Sequence, residues 1–213
     1  MSKFNKGILG GFSGTVGTVV GAKWKGMDVM RSRPSRRSNK QATPAQLAQR
    51  ARFRMVMEFV KQFSELVKIT YTNIAADKTP FNSAFAYNLS KAVTGSYPNY
   101  HFDYSKLMLC SGSLLNAGNP TATAGTAGRI NFDWADNSGM GNAKATDNLV
   151  AIVFCAELNA AMYTTTGPTR DTGAYIMDVS GFAGKAVHTW FAFINADGDE
   201  VSSSIYTGQV TVL

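Results

Sequence analysis

Near Pro98 the apolar residues of this 213-residue chain stop recurring at helical spacing and begin to alternate. A period of 3.6 gives a helix one apolar stripe, and a period of 2 gives a strand one apolar face, so this chain must build two kinds of layer. Ahead of the switch, Thr43-Pro44-Ala45-Gln46 has the form of a capping box, with Thr43 at the N-cap, Pro44 at the first helical position and Gln46 at the third. Leu47, Ala51, Met55, Phe59, Phe63, Leu66 and Val67 follow at helical spacing and predict one helix with one apolar face. A second helix is expected from Thr79-Pro80, carrying Phe81, Phe85, Leu89 and Val93 on one face and stopping at Gly95. Two such stripes predict an antiparallel helical pair.

Beyond the switch, Ile130, Phe132 and Trp134 alternate with polar residues, as do Tyr206, Val210 and Val212. Tyr175, Met177 and Val179 also recur at every second position. Residues 149–156 form a continuous apolar run, and residues 187–194 are strongly β-forming. Counting residues 104–110, six or seven short strands separated by turn-rich text predict an all-β sandwich. Asp197-Gly198 between two β runs reads as a hairpin turn in preference to an ion site, and residues 133–147, with Asp136, Asn137, Gly139 and Gly141, read as a loop.

The opposite end has a different character. Residues 15–20, 22–25 and 27–30 read as short β-segments punctuated by Gly21 and Gly26. Residues 31–41 contain Pro34, four arginines and no large aliphatic side chain, and so predict an extended arm. Residues 1–61 hold thirteen Lys and Arg against only Asp28 and Glu58, while the remaining 152 hold eight basic and twelve acidic residues. The overall charge of +7 thus conceals a basic front and a mildly acidic body. That division points to an anionic partner for one end: nucleic acid, an acidic protein surface or anionic lipid. A charged fraction of 16%, below the usual ~25%, leans towards a surface that meets other copies or partners.

Several functions are disfavoured. Residues 8–22 are too short and too glycine-rich to span a membrane. They imitate a signal peptide, but the Leu-rich core of one is missing. The glycines at 11, 14 and 17 lack the Gly-Lys-Ser/Thr of a phosphate loop and the strand–turn–helix setting of a dinucleotide site. His101 and His188 stand apart, with no acid or cysteine at metal-ligand spacing. Cys110 and Cys155 read as free thiols in strands. The expectation is therefore a non-enzyme with no cofactor and no metal, with a virion or the bacterial cytoplasm favoured over secretion.

Trp134 on an early strand, followed by Trp190-Phe191-Ala192-Phe193-Ile194 and the turn Asn195-Ala196-Asp197-Gly198, resembles a fibronectin type III module over residues 103–213. That resemblance implies a fold and no particular activity. The glycine-rich start, Trp24-Lys25-Gly26, the Arg/Pro segment and Thr43-x-x-Gln46-x-x-Gln49-Arg50-x-x-Phe53 together resemble an uncharacterised family of Bacteroidota proteins. The portion from Thr43 to Phe53 also resembles structural proteins of tailed phages and prophages.

The fold expected is α+β: an N-terminal β-ribbon and basic arm, a two-helix unit, and a C-terminal all-β fibronectin/immunoglobulin-like sandwich. The expected domains are residues 1–99 and 100–213. The candidate partner- or anion-binding residues are Lys23, Trp24, Lys25, Arg31, Arg33, Arg36, Arg37, Lys40, Arg50 and Arg54, because arginine suits bidentate contact with phosphate or carboxylate. Arg50 and Arg54 lie one turn apart near a helix N-terminus, where the dipole favours anions. The expected role is structural, with self-assembly or other subunits as partners. The alternative is nonspecific nucleic-acid binding, with residues 1–61 as an electrostatic clamp.

Overall fold

A computed structural model describes residues 2–3, 11–34, 42–72 and 78–213, which fall into two compact units, Met1–Thr43 and Pro44–Leu213. In the first unit, β1 (Ser2–Lys3), β2 (Gly14–Val16), β3 (Val19–Trp24) and β4 (Met27–Ser32) make an antiparallel sheet in the order β1-β4-β3-β2. Lys25 and Gly26, both with positive φ, close the tight turn between β3 and β4. Gly21, expected at a turn or bulge between β-segments, sits in regular register inside β3, where any Cβ would run into Phe12. The expected arm also starts later: Arg31 is a strand residue paired with Val20.

The second unit begins with α1 (Pro44–Gln62), α2 (Ser64–Thr70) and α3 (Pro80–Lys91). The single helix expected through Val67 is broken at Phe63, whose backbone (φ −102°, ψ 17°) leaves helical geometry. Both pieces still direct apolar side chains inward: Val56, Phe59, Val60, Phe63, Leu66 and Val67 are buried. Thr79 caps α3 as expected, its hydroxyl accepting from the Asn82 N–H at 3.1 Å. That helix ends at Lys91, short of Gly95, because Val93 already belongs to the hairpin of β5 (Val93–Ser96) and β6 (Asn99–Phe102).

Seven strands follow: β7 (Gly118–Ala124), β8 (Arg129–Ala135), β9 (Asn148–Cys155), β10 (Ala160–Thr164), β11 (Ala174–Asp178), β12 (Ala186–Ile194) and β13 (Ile205–Thr211). They form two antiparallel sheets, β10-β9-β12-β13 and β11-β8-β7, the sandwich expected at the C-terminal end. Residues 104–110 are not a strand. A 3₁₀ turn, Tyr104–Lys106, leads into a buried extended segment whose backbone is satisfied chiefly by side chains. Asn88 donates to the Met108 carbonyl and accepts from its N–H, both at 2.9 Å, and the Ser204 hydroxyl accepts from the Leu109 N–H at 3.0 Å.

β9 and β12 carry two cores. Val150, Ile152, Phe154, Trp190, Ala192 and Ile194 face the helices, packing with Phe59, Phe63 and Leu66. Leu149, Ala151, Val153, Cys155, Phe191 and Phe193 face Ile130, Phe132, Trp134 and Met177 of the other sheet. The boundary expected near residue 100 therefore gives way to one after Thr43. The helices share a core with the sandwich because its first sheet is apolar on both faces. The two cysteines are free, Cys110 in the helix-side core and Cys155 in the inter-sheet core.

Candidate partner interface and polar clusters

In the first unit the strand period sorts the expected site residues onto two faces. Register places Val20, Ala22 and Trp24 beside Arg31, Val29 and Met27, whereas Lys23 lies on the other face opposite Asp28. Trp24 and Lys23, adjacent in sequence, therefore do not form one patch. Trp24 is 48% exposed beside the turn that Lys25 helps to close. Arg31 and Arg33 are exposed, and the Arg33 N–H donates to the Thr18 carbonyl at 2.7 Å, tying the end of the ribbon to the β2–β3 turn. Arg36, Arg37 and Lys40 lie outside the described residues.

Arg50 and Arg54 are exposed on α1, in the second unit. Arg50 is the seventh residue of that helix, beyond the first turn in which the dipole acts, so the expected dipole contribution falls away. Between them in sequence, Arg52 has structural work. Its Nη2 donates to the Leu89 carbonyl at 3.1 Å, and its guanidinium lies 5.8 Å from the centre of the Tyr100 ring, joining α1 to α3 and the hairpin.

Two buried polar clusters were not expected. In the first, the Arg170 and Asp147 side chains are wholly buried and paired at 3.0 Å. Arg170 also donates to Asn137 Oδ1 at 2.7 Å and to the Leu115 carbonyl at 2.8 Å, and lies 3.9 Å from the centre of the Phe193 ring. The Trp134 indole N–H donates to the Arg170 carbonyl at 2.7 Å. One guanidinium thus binds three loops to the sandwich. Asn137 and Asp147 sit within or at the end of the segment read as a loop, and only their contact with a distant arginine gives them a role.

In the second cluster, His188 stacks on Tyr104 with ring centres 3.5 Å apart, and its Nδ1 is 2.9 Å from the Tyr206 hydroxyl. Burial pushes the His188 pKa down and those of Tyr104 and Tyr206 up, since each charged form would lose hydration. Burial likewise pushes the Cys110 thiol up to about 12, leaving it unreactive as a nucleophile. At the surface, hydrogen bonds from Lys106 and Ser105 hold the Asp103 carboxyl below its usual range.

Among the described residues, no three of His, Cys, Asp and Glu converge on a point that could hold a metal, and no helix is long and apolar enough to cross a membrane.

A family model described as "Family of unknown function (DUF6266)" matches residues 11–208. No curated protein matches the chain. Among solved structures, the chain is similar to the solution structure of the fn3 domain of human collagen alpha-1(XX) chain. The two are 14% identical with a TM-score of 0.36, over 48% of this chain and 92% of that one.

Proposed function

This chain belongs to the DUF6266 family of unknown function, and we propose that it is a non-enzymatic structural subunit of a larger assembly, phage- or prophage-derived, which docks through its basic N-terminal region. The observation that carries this reading is how little the described residues of the first unit bury. Among its described residues only Gly21 and Val29 are buried. A unit of residues 1–43 sits close to the size, about 40 residues, below which chains usually need disulfides, metals or association. Both cysteines lie elsewhere, in the second unit. Association with a partner would add burial, and exposed Trp24, Arg31 and Arg33 supply an aromatic anchor and charge for it. The resemblance of residues 43–53 to phage structural proteins supports the setting.

The direct test is the mass of the purified full-length chain by light scattering across a concentration series. Masses above the monomer, reduced by Trp24→Ser, are expected. A strict monomer at the highest soluble concentration, with no partner recovered from its source, overturns the proposal.

A second reading has its own observation: Arg50 and Arg54 are exposed one turn apart on α1, and Arg31 and Arg33 are exposed on the ribbon. Phosphate contacts release counterions, so duplex affinity would fall with salt at a log–log slope of about −0.9 per phosphate neutralised. Replacing Arg31, Arg33, Arg36 and Arg37 by Ala should lower that slope equally for all sequences. Absence of a gel shift at low salt would remove this reading and leave assembly.

A further inference from the structure

Between α1 and the sandwich lies a cavity of about 340 Å³ that the assembly reading does not use. Four rings line it: Phe59 of α1, Phe102 of β6, Tyr104 of the following turn and Phe154 of β9. Phe59 stands 4.8 Å from Phe102 and 5.1 Å from Phe154, while Tyr104 stands 6.2 Å and 6.4 Å from the same two rings, so the four pack on one another as a floor in which Phe59 and Phe154 are almost wholly buried. At the rim are Arg54 and Glu58, one turn apart on α1. Opposite charges at this spacing can pair, but with the base N-terminal to the acid the pairing is the weaker orientation. Among the described residues no ion pair joins them. Both charges are therefore available to a ligand.

We propose that this cavity binds an aromatic zwitterion of the α-amino-acid type, its ring laid against the partly exposed Phe102 and Tyr104, its carboxylate on Arg54 and its ammonium on Glu58. The volume is near the lower end for small-molecule sites, roughly 300–1,000 Å³, which suits a single ring with a short polar head. The charges select the head group. A simple aromatic acid satisfies Arg54 but brings a second negative charge to Glu58. A simple aromatic amine does the reverse. Only a ligand carrying both charges on neighbouring atoms gains two charge-assisted contacts and no repulsion. The site is independent of the assembly proposal, which uses the first unit.

The test is titration of the full-length chain with L-phenylalanine, 3-phenylpropionate and phenethylamine, followed by amide chemical shifts. Saturable shifts around Phe102 and Ala156 are expected with L-phenylalanine, with affinity about tenfold weaker for each singly charged probe, the ratio given by ~1.4 kcal/mol. Ala156→Trp, an exposed position at the cavity's edge, should abolish binding while leaving the thermal midpoint near wild type. Arg54→Gln should remove the preference for L-phenylalanine over phenethylamine, a change of selectivity that misfolding would not produce. Absence of saturation, equal affinity for the three probes, or unchanged binding by Ala156→Trp would each overturn the proposal.

Discussion

His188 and Arg170 are single polar side chains set among aromatic rings, and each carries a prediction about stability. Because burial lowers the His188 pKa in the folded state, the unfolded chain takes up a proton first as pH falls through about 6.5. Stability depends on proton uptake by the unfolded state, so it should be unaffected above that value and should decline below it. The decline should stop only once pH passes the lowered folded value. Thermal melts from pH 7 to pH 5 should show a larger fall for wild type than for His188→Gln, and parallel curves would refute this assignment. Arg170 makes a starker case. Removing one member of a buried ion pair typically costs about 3–5 kcal/mol, because the other charge is left uncompensated. Arg170→Met should lower the urea midpoint accordingly, and Asp147→Leu added to it should restore much of the loss. If the double variant is no better than the single one, hydrogen bonding to Asn137 and Leu115 matters more than the charge.

At the level of elements, what could be read from the sequence depended on how regular each segment's burial is. Strand β8 was legible from its alternating burial, β9 and β12 from unbroken apolar or β-forming runs, β13 from alternating sequence, and the start of α3 from its cap. Strand β7 was not. It is an edge strand with little apolar content, and Pro120 sits at its register shift, where a missing N–H does no harm. Residues 104–110 were misread for the opposite reason. Their apolar content looks like a strand, but Asn88 and Ser204 replace the neighbouring strand as hydrogen-bonding partners. Asn88→Leu keeps the volume and removes the two bonds to Met108, orphaning its part-buried N–H. About 1–3 kcal/mol per orphaned group is expected, measurable by denaturant unfolding. The charge division of the candidate interface was legible from composition alone, whereas the work of Arg52 was not, because Leu89 and Tyr100 meet it only in three dimensions.

For the whole molecule, the shared core decides which pieces can stand alone. A fragment of residues 44–213 keeps both cores and should unfold cooperatively with mixed α/β circular dichroism. One beginning at residue 100 would uncover Ile152, Phe154 and Trp190 and should aggregate. A soluble monomer from the shorter fragment would show that the helices are dispensable. The sequence switch at Pro98 marks a change of secondary structure, and it was natural to take it for a domain boundary. It failed as one because periodicity reports which residues are apolar, not what covers them. The two-sided burial of β9 and β12 also bears on how the family can drift. Most strands alternate between positions that selection holds and positions that it leaves free, so substitutions accumulate at every second residue. Residues 149–155 and 187–193 are all buried, with no free alternate. A saturation-mutagenesis library should accordingly show two unbroken intolerant blocks there and an every-other-residue rhythm in β8. Through those blocks, change would have to come in compensated pairs.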